Sequence, residues 1–261
     1  MKHFRGEETN ALAEWMIMAA FLTLLVCSII IAPYGRYSRS VVLGIRLPLV
    51  NAKLAWCLME SPNLWMALWC LWLSDQKSRT SPANVVLLGM FVGHYVNRSF
   101  VFPLRMRGGK PMPILTMLAA TGYCCINGYL QCSHLLLTST VYPDSWIRDP
   151  RFIVGSAVFA MGFLINYQSD GILRRLRGPG ETGYKIPRGG MFEYISGANY
   201  FGECLEWCGF AIAGWSLPAL AFALYTIANI SPRAFQHHKW YLDKFADEYP
   251  STRRAFIPLV W

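Results

Sequence analysis

The chain has 261 residues, of which 54% are hydrophobic and only 15% are charged, and its formal net charge is +9. Soluble domains carry about 25% charged residues, so this composition excludes an ordinary soluble globular domain. Apolar segments of about 20 residues recur along the chain, and this is the length that crosses a hydrocarbon core. The composition therefore predicts an all-α integral membrane protein.

The apolar segments predict about seven transmembrane helices. In chain order they cover residues 14–32, 47–73, 84–104, 112–138, 152–166, 200–215 and 217–231. The first has no small-residue cleavage pattern, so we expect it to remain as an anchor. Ser61 and Pro62 interrupt the second, which predicts a kink beside Glu60. A polar connection over residues 169–197 joins the fifth and sixth spans, and an amphipathic tail follows the seventh.

Basic residues are unevenly distributed between the connecting segments. If the N-terminus is outside or lumenal, the cytoplasmic segments hold roughly sixteen Lys and Arg residues and the opposite segments roughly six. This asymmetry predicts a cytoplasmic C-terminus and places the 169–197 connection in the cytoplasm, whereas six or eight spans would leave one basic cluster outside. It also accounts for the net charge, so we predict no nucleic-acid partner.

The chain shows no internal repeat and no low-complexity tract, so we expect a single membrane domain over residues 1–261. Its eight Cys residues are scattered, and no CxxC or Cys/His spacing typical of a metal site occurs. We expect reduced, apolar cysteines and no metal. Nothing in the sequence predicts an obligate protein partner.

Two side chains in the first half could form an acidic site. Glu60 lies in the apolar segment AWCLMESPN, where an isolated carboxylate is costly, so we expect it to be paired, protonated or catalytic. A structural hydrogen bond between helices is an equally good explanation of this residue. Tyr95 in the next span could supply a second proton donor to the same cavity, although a buried Tyr more often only packs.

The 169–197 connection contains RRLRGPGETGYKIPRGG, which combines Arg and Lys with repeated Gly and suits phosphate groups. A basic loop that touches lipid headgroups is the alternative. Asn166 and Asp170 before the loop, and Asn199 and Glu203 after it, favour a ligand with hydroxyl and amide groups. No GxGxxG follows a strand, so a nucleotide would be bound without a Rossmann unit.

The tail carries Arg233, His237 and Tyr241 at intervals of four residues, which a helix places on one side. His238 faces another direction, so a metal-binding pair with His237 is not expected. A solvated amphipathic surface helix is the alternative reading of this tail.

Five segments follow one another along the chain: AWCLMESP, GMFVGHYVNRSFVFPL, INYQSDGILRRLRGPGETGYKIPRGGMFEYISGANYFGECLEWCGFA, WSLPALAFA and RAFQHHKWYLDKF. Together, in this order, they resemble the steroid 5-alpha-reductase family over nearly the full chain. The resemblance implies an enzyme that uses NADPH to reduce the C4–C5 double bond of a 3-oxo-4-ene steroid such as testosterone or progesterone. It implies that Glu60 and Tyr95 bind and polarise the 3-ketone. It also implies a cofactor-binding role for ten residues: Asn166, Asp170, Arg177, Tyr184, Lys185, Asn199, Glu203, Arg233, His237 and Tyr241.

By the same resemblance, residues of about 1–140 form mainly the substrate cavity and residues of about 150–261 mainly the NADPH-binding half, with the long loop as a lid. The enzyme would lie in a bacterial inner membrane or, in a eukaryote, in the endoplasmic reticulum membrane. Met59 stands where mammalian steroid reductases have Gln, which bears on steroid choice more than on the reaction type. Gln236 stands where a further His is familiar.

Related membrane reductases of polyprenols or of trans-2-enoyl-CoA would share the cofactor half and differ in the cavity. A carboxyl methyltransferase of prenylated proteins is a further related membrane fold that binds a nucleoside. A seven-span receptor or a non-enzymatic lipid-binding protein would need no dinucleotide site, and the density of polar residues after Asn166 argues against both.

Overall fold

The structure is a computed structural model that describes residues 2–33, 35–38, 40–42, 45–138, 142–176, 178, 181 and 183–259. Most of the described residues are helical. The α-helices are α1 (Lys2–Ile29), α2 (Ala52–Glu60), α3 (Pro62–Leu73), α4 (Gln76–Thr80), α5 (Pro82–Val96), α6 (Phe102–Arg105), α7 (Ile114–Leu136), α8 (Pro150–Arg175), α9 (Ala198–Gly214) and α10 (Leu217–Phe245). A π-helical segment, Asn97–Val101, joins α5 to α6, and short 3-10 helices cover Gly35–Tyr37, Asp144–Arg148, Gly190–Glu193 and Ala246–Glu248.

Strands are few and short in the described part of the chain. β1 (Val41–Val42) pairs antiparallel with β2 (Ile45–Arg46), and β3 (Leu49–Val50) pairs antiparallel with β4 (Met112–Pro113). The second pair sets Leu49 opposite Pro113 and Val50 opposite Met112. These ribbons connect helices and form no core sheet.

Three helices of the described residues are long and apolar enough to cross a membrane, namely Gly6–Ile29, Pro82–Arg105 and Pro150–Arg175. Large apolar side chains on them are exposed, including Phe21 and Leu164, as expected for surfaces that face lipid. The helical, apolar architecture agrees with the predicted all-α membrane protein. The count of seven spans and the orientation remain predictions.

The predicted break beside Glu60 is confirmed. α2 ends at Glu60, and α3 begins at Pro62, which tolerates the first position of a helix because it has no N–H to donate. The second span begins later than predicted, since Leu49–Val50 is a strand. The Asn51 side chain caps the first turn of α2 by accepting bonds from the backbone N–H groups of Lys53 and Leu54.

Two later helices are longer than the predicted spans. α8 continues beyond residue 166 to Arg175, so the polar connection starts about two turns later than predicted. α10 joins the seventh predicted span and the amphipathic tail into one helix with Pro232 inside it. Only Trp215 and Ser216 separate α9 from α10, and Trp215 adopts a left-handed backbone conformation that ends α9.

The chain divides into two compact units. The first comprises Met1–Trp15, Ala32–Phe152 and Ser216–Pro218, and the second comprises Met16–Ile31, Ile153–Trp215 and Ala219–Trp261. In the first unit, α7 packs against α2, α3 and α5. An apolar cluster at that contact contains Ala55, Met59, Met112 and Met117.

The second unit contains a tightly packed antiparallel pair, α8 and α9, with glycine at each close approach: Gly155 and Gly162 on α8, Gly202 and Gly209 on α9. A Cβ added at any of the four would lie 2.2–2.5 Å from a backbone nitrogen of the facing helix. Small residues of this kind let helix backbones approach in membranes, where packing drives association.

The carboxyl-terminal segment packs within the same unit. Ile195 and Arg254 form an isolated parallel bridge, and the backbone N–H groups of Ser196 and Gly197 donate to the carbonyls of Arg254 and Ala255. The last described residues therefore cover the start of α9.

Candidate active site

Glu60 and Tyr95 lie on α2 and α5 of the first unit, and both helices pack against α7. Glu60 is half-buried at the end of α2, and Tyr95 is buried in the last turn of α5, where its ring contacts Phe91 and His94 at centroid distances of 4.7 and 5.1 Å. A carboxyl group and a phenol are thus held among apolar helices, where hydrogen bonds are strong because water is scarce.

Two asparagines link this pair. Asn127 of α7 is fully buried, and its Nδ2 donates to Tyr95 Oη at 3.2 Å and to Asn63 Oδ1 at 3.4 Å. Asn63 in turn donates from Nδ2 to the backbone carbonyl of Glu60 at 3.2 Å. The structure therefore brings the two predicted residues into one hydrogen-bonded network.

Further polar residues of α7 complete the network. The Cys124 thiol donates to Glu60 Oε2 at 3.8 Å, and Gln131 donates to Asn127 Oδ1 at 3.3 Å. Cys124, Asn127 and Gln131 lie at spacings of three and four, on one face of the helix. Hydropathy and charge do not single out these residues or Asn63, although the amides of Asn63, Asn127 and Gln131 within apolar segments are a usable signal.

A buried cation lies one turn beyond Tyr95. The guanidinium of Arg98 stands 4.5 Å from the Trp56 ring and 4.6 Å from the Phe102 ring, so aromatic faces stabilise its charge. Arg98 belongs to the π-helical segment Asn97–Val101. Such single-turn segments occur frequently at functional sites.

In the second unit, the polar residues that flank the loop lie on α8 and α9: Asn166 is buried, whereas Asp170, Asn199 and Glu203 are half-buried. Asn166 Nδ2 donates to the Asn199 carbonyl at 2.9 Å, which joins the two helices. Asp170 and Glu203 each lie one turn further along their own helix and are partly accessible. One N–H of the Asn166 amide is therefore used to join the two helices. The carboxylates of Asp170 and Glu203 remain accessible to a ligand.

The tail residues lie on α10, as their spacing predicted. Arg233 Nη2 donates to Asn229 Oδ1 at 2.8 Å, and the His237 ring contacts Tyr200 of α9 at 5.3 Å. Tyr241 is buried and stacks on Tyr249 with centroids 5.3 Å apart. Arg233 and His237 are half-buried polar groups beside the start of α9, whereas the Tyr241 ring helps to hold the carboxyl-terminal segment.

The connecting loop contacts the same helix. The Tyr184 ring packs edge-on against Trp240 at 4.8 Å. Lys185 Nζ lies 2.6 Å from Glu181 Oε2, and this hydrogen bond lowers the pKa of the exposed Glu181 carboxyl. Lys185 is therefore already paired in this conformation. Arg177, predicted to bind cofactor phosphate, lies outside the described residues.

A cluster that the sequence analysis did not recognise anchors the carboxyl-terminal segment. Ser196 Oγ lies 2.6 Å from His238 Nδ1 and 2.6 Å from Tyr249 Oη. Burial lowers the pKa of His238, with a smaller contribution from the charge of Arg254, and burial raises the pKa of Tyr249. The buried guanidinium of Arg253 donates to the Pro187 carbonyl at 2.8 Å, which ties this segment to the loop.

Met59 and Gln236, the two residues that depart from the family pattern, both make defined contacts. Met59 is buried in the apolar cluster of the first unit, with Met112 and Met117 as neighbours. Gln236 Nε2 donates to the Cys27 carbonyl of α1 at 2.8 Å, a role for which an amide is well suited. Across the described residues, no group of three or more His, Cys, Asp or Glu side chains could hold a metal ion.

Comparison with known proteins identifies the family. A family model described as 3-oxo-5-alpha-steroid 4-dehydrogenase matches residues 110–261. A Bos taurus protein named 3-oxo-5-alpha-steroid 4-dehydrogenase 1 is 48% identical, with 95% of this chain and 99% of the relative covered. The Homo sapiens protein of the same name is 46% identical over 97% of this chain and 98% of its own length. A Mus musculus protein named 3-oxo-5-alpha-steroid 4-dehydrogenase 2 is 43% identical, with coverages of 97% and 98%. The chain belongs to the 3-oxo-5-alpha-steroid 4-dehydrogenase family, whose members are oxidoreductases.

Proposed function

We propose that the protein reduces the C4–C5 double bond of a hydrophobic 3-oxo-4-ene steroid, with NADPH as the reductant, to give a 5-alpha-3-oxosteroid. The observation that carries this proposal is one hydrogen-bonded network within apolar helices, in which Asn63 and Asn127 link the Glu60 backbone carbonyl to the Tyr95 hydroxyl. Apolar helices suit a steroid, and the carboxyl and phenol groups of these two residues suit its ketone oxygen.

Glu60 and Tyr95 act on the ketone in this proposal. The neutral acid and the phenol donate hydrogen bonds to the 3-oxygen, which draws electron density from C5 and makes that carbon electrophilic. As C5 receives a hydride, negative charge develops on the oxygen and the two donors stabilise it, as in an oxyanion hole. A proton from water then adds to C4 of the resulting enolate, so that one hydride and one proton together saturate the C4–C5 bond.

The polar and basic side chains of the second unit suit a dinucleotide. Asp170, Asn199 and Glu203 are partly accessible and carry groups that suit ribose hydroxyls and a carboxamide. Arg177, Lys185 and Arg233 supply the positive charge that phosphates require. In this proposal, Asn166 and His237 also make polar contacts with the cofactor, and Tyr184 and Tyr241 contact it with their aromatic rings. When bound, the nicotinamide supplies the hydride, and the loop before α9 closes over it.

The same proposal includes the membrane arrangement. Seven spans with the N-terminus outside or lumenal put the loop and the C-terminus in the cytoplasm, where the basic residues concentrate. Residues of about 1–140 then contribute mainly the steroid cavity, and residues of about 150–261 mainly the NADPH-binding half. The enzyme resides in the endoplasmic reticulum membrane of a eukaryote or the inner membrane of a bacterium, and needs no obligate protein partner.

The test is turnover by the purified protein in detergent. Testosterone or progesterone is supplied with NADPH and, separately, with NADH, and the products are separated against 5-alpha and 5-beta standards. The proposal predicts a 5-alpha product formed with NADPH. Binding of NADPH without steroid turnover would contradict the steroid assignment and favour a polyprenol or trans-2-enoyl-CoA substrate. An absence of dinucleotide binding would favour a non-enzymatic lipid-binding protein.

A further inference from the structure

A chain of buried amides runs through the first unit and ends at Tyr95. Gln131 Nε2 donates to the Pro218 carbonyl at 2.9 Å and to Asn127 Oδ1 at 3.3 Å, and Asn127 Nδ2 donates to Tyr95 Oη and to Asn63 Oδ1. Gln131 is 2% exposed, and Asn127 and Asn63 are fully buried. Both donors of each NH2 group of Gln131 and Asn127 are therefore used inside the protein.

The direction of these hydrogen bonds is fixed by one backbone group. The Pro218 carbonyl can only accept, so the Gln131 atom that faces it must be the NH2 group. The second hydrogen of that group points at Asn127, whose facing atom must then be the oxygen. Rotating the Gln131 amide by half a turn would set its oxygen against the Pro218 carbonyl, two acceptors, and rotating the Asn127 amide would set its NH2 group against that of Gln131, two donors. The polarity of the Pro218 carbonyl thus determines the orientation of Asn127.

This orientation decides the role of Tyr95. With Asn127 Nδ2 directed at it, the Tyr95 oxygen accepts a hydrogen bond at 3.2 Å, and its own proton is directed away from Asn127. A phenol that accepts one bond becomes a better donor for another, because hydrogen bonds in a chain polarise one another.

A second branch of the amide chain supports the turn that carries Glu60. The backbone N–H of Leu64 donates to the Ser61 carbonyl at 2.9 Å. The Glu60 carbonyl instead accepts from Asn63 Nδ2 at 3.2 Å, and Asn127 orients that amide. The Asn127 side chain therefore bonds both to the Tyr95 hydroxyl and to Asn63, whose amide bonds to the Glu60 carbonyl where α2 ends.

We infer that Asn127 is a positioning residue for the ketone-binding pair, oriented by Gln131 and the Pro218 carbonyl, and that it keeps Tyr95 in its donor role. The inference rests on the proposed reduction of a 3-oxo-4-ene steroid. Asn127 itself does not contact the ketone: it acts through the Tyr95 hydroxyl and the Asn63 amide.

The decisive variant is Asn127→Asp, which keeps the size of the side chain and replaces its donor by a carboxylate acceptor. Tyr95 would then donate to Asp at this position instead of to the steroid. We expect kcat to fall by about tenfold to a hundredfold, with NADPH affinity unchanged. Ser133→Ala is the matched control, since Ser133 is buried on the same helix and its hydroxyl donates to the Leu130 carbonyl of that helix.

A double-mutant comparison separates positioning from a general loss of structure. In a Tyr95→Phe background, Asn127→Asp should reduce kcat by a smaller factor than in the unsubstituted protein, because the Tyr95 hydroxyl is gone and only the contact with Asn63 remains. An undiminished kcat in the single variant would overturn the inference. An equal loss of kcat with and without the Tyr95 hydroxyl would also overturn it.

A readout that needs no turnover distinguishes this inference from the proposed function. In protein labelled with tyrosine ¹³Cζ, the Tyr95 resonance is assigned by its loss in Tyr95→Phe. We expect Asn127→Asp to shift that resonance and Ser133→Ala to leave it in place. If Asn127→Asp shifts the Tyr95 resonance but the protein reduces no steroid, Asn127 orients Tyr95 and the proposed function is wrong. If the resonance does not shift, the inference about Asn127 is wrong, whether or not the protein reduces steroids.

Discussion

Glu60 is the residue on which the proposed chemistry depends most directly. Its carboxyl accepts from the Cys124 thiol, and its backbone carbonyl accepts from Asn63, so both its side chain and its helix end are held. A neutral acid at this position can donate to a ketone, and a primary amide donates less strongly.

We expect Glu60→Gln to lower kcat by about a hundredfold or more, because the loss falls on the acid proposed to polarise the ketone. The volume is conserved, so NADPH affinity should change little. Steady-state kinetics together with a fluorescence titration of NADPH measure both quantities. Undiminished turnover would remove Glu60 from the role of acid.

Arg177→Ala should weaken NADPH affinity by about tenfold with little change in steroid binding, since a guanidinium suits a phosphate and no steroid group. Arg107→Ala is the control, because Arg107 is an exposed basic residue in another loop predicted to be cytoplasmic. Equal effects of the two substitutions on the apparent NADPH affinity would indicate a general effect of charge and end the assignment of Arg177.

Among single residues, the sequence indicates the proposed ketone-binding groups more readily than the side chains that hydrogen-bond to them. A carboxyl group in an apolar span stands out by its desolvation penalty alone, which is how Glu60 was predicted. Asn127 and Gln131 are neutral amides, and their importance depends on which helices face each other. That pairing arises from the packing of α7 against α2, α3 and α5, which hydropathy does not reveal.

At the level of helices, the α8–α9 pair is the clearest determinant of the second unit. Asn166 and Asn199 are joined at its polar end, and the glycine contacts bring the two backbones together along its length. The proposed cofactor residues Asp170 and Glu203 extend from this pair. Their positions therefore depend on how closely the two helices approach.

We expect Gly162→Ala to destabilise the protein by about 1–3 kcal/mol or more, because its Cβ would lie 2.2 Å from the Glu206 nitrogen. Gly122→Ala is the matched control in α7, where a Cβ meets nothing within 4 Å. The control should be neutral or slightly stabilising, since Ala favours helix. Thermal unfolding in detergent measures both, and equal melting temperatures would contradict the close packing.

Hydropathy predicts the apolar part of a helix but not the residue at which the helix ends. α8 extends to Arg175 and α10 to Phe245, both past the point where the apolar spans were predicted to stop. Polarity ends a span in the membrane but does not end a helix, since the backbone bonds continue in water. The break at Ser61 was predictable because Pro62 acts on the backbone itself.

Over the whole second unit, the carboxyl-terminal segment links the loop, the start of α9 and the far end of α10. Ser196 bonds to both His238 and Tyr249, and Arg253 reaches the Pro187 carbonyl. The sequence showed a basic, polar tail but gave no indication that it packs back on the loop. Contacts between residues so distant in the chain arise from tertiary structure alone.

This arrangement predicts a dependence of stability on pH. Burial lowers the pKa of His238 from the unfolded value of 6.5, so between the folded and unfolded pKa values the unfolded state binds more protons. The contribution of His238 to stability is therefore complete above about pH 6.5 and is lost as the pH falls towards the folded pKa. Melting temperatures between pH 5 and 8 should drop on the acid side, and His238→Asn should flatten that drop. An unchanged profile in the variant would exclude this residue as the cause.

An isotope label on the cofactor shows which steroid carbon receives the hydride. The purified protein is given testosterone and NADPH deuterated at the transferable C4 position, and the product is analysed by mass spectrometry and NMR. Our account predicts one deuterium at C5 in the 5-alpha product, with formation of that product strongly reduced in Glu60→Gln. Deuterium at another carbon, or a reduced product without deuterium, would contradict it.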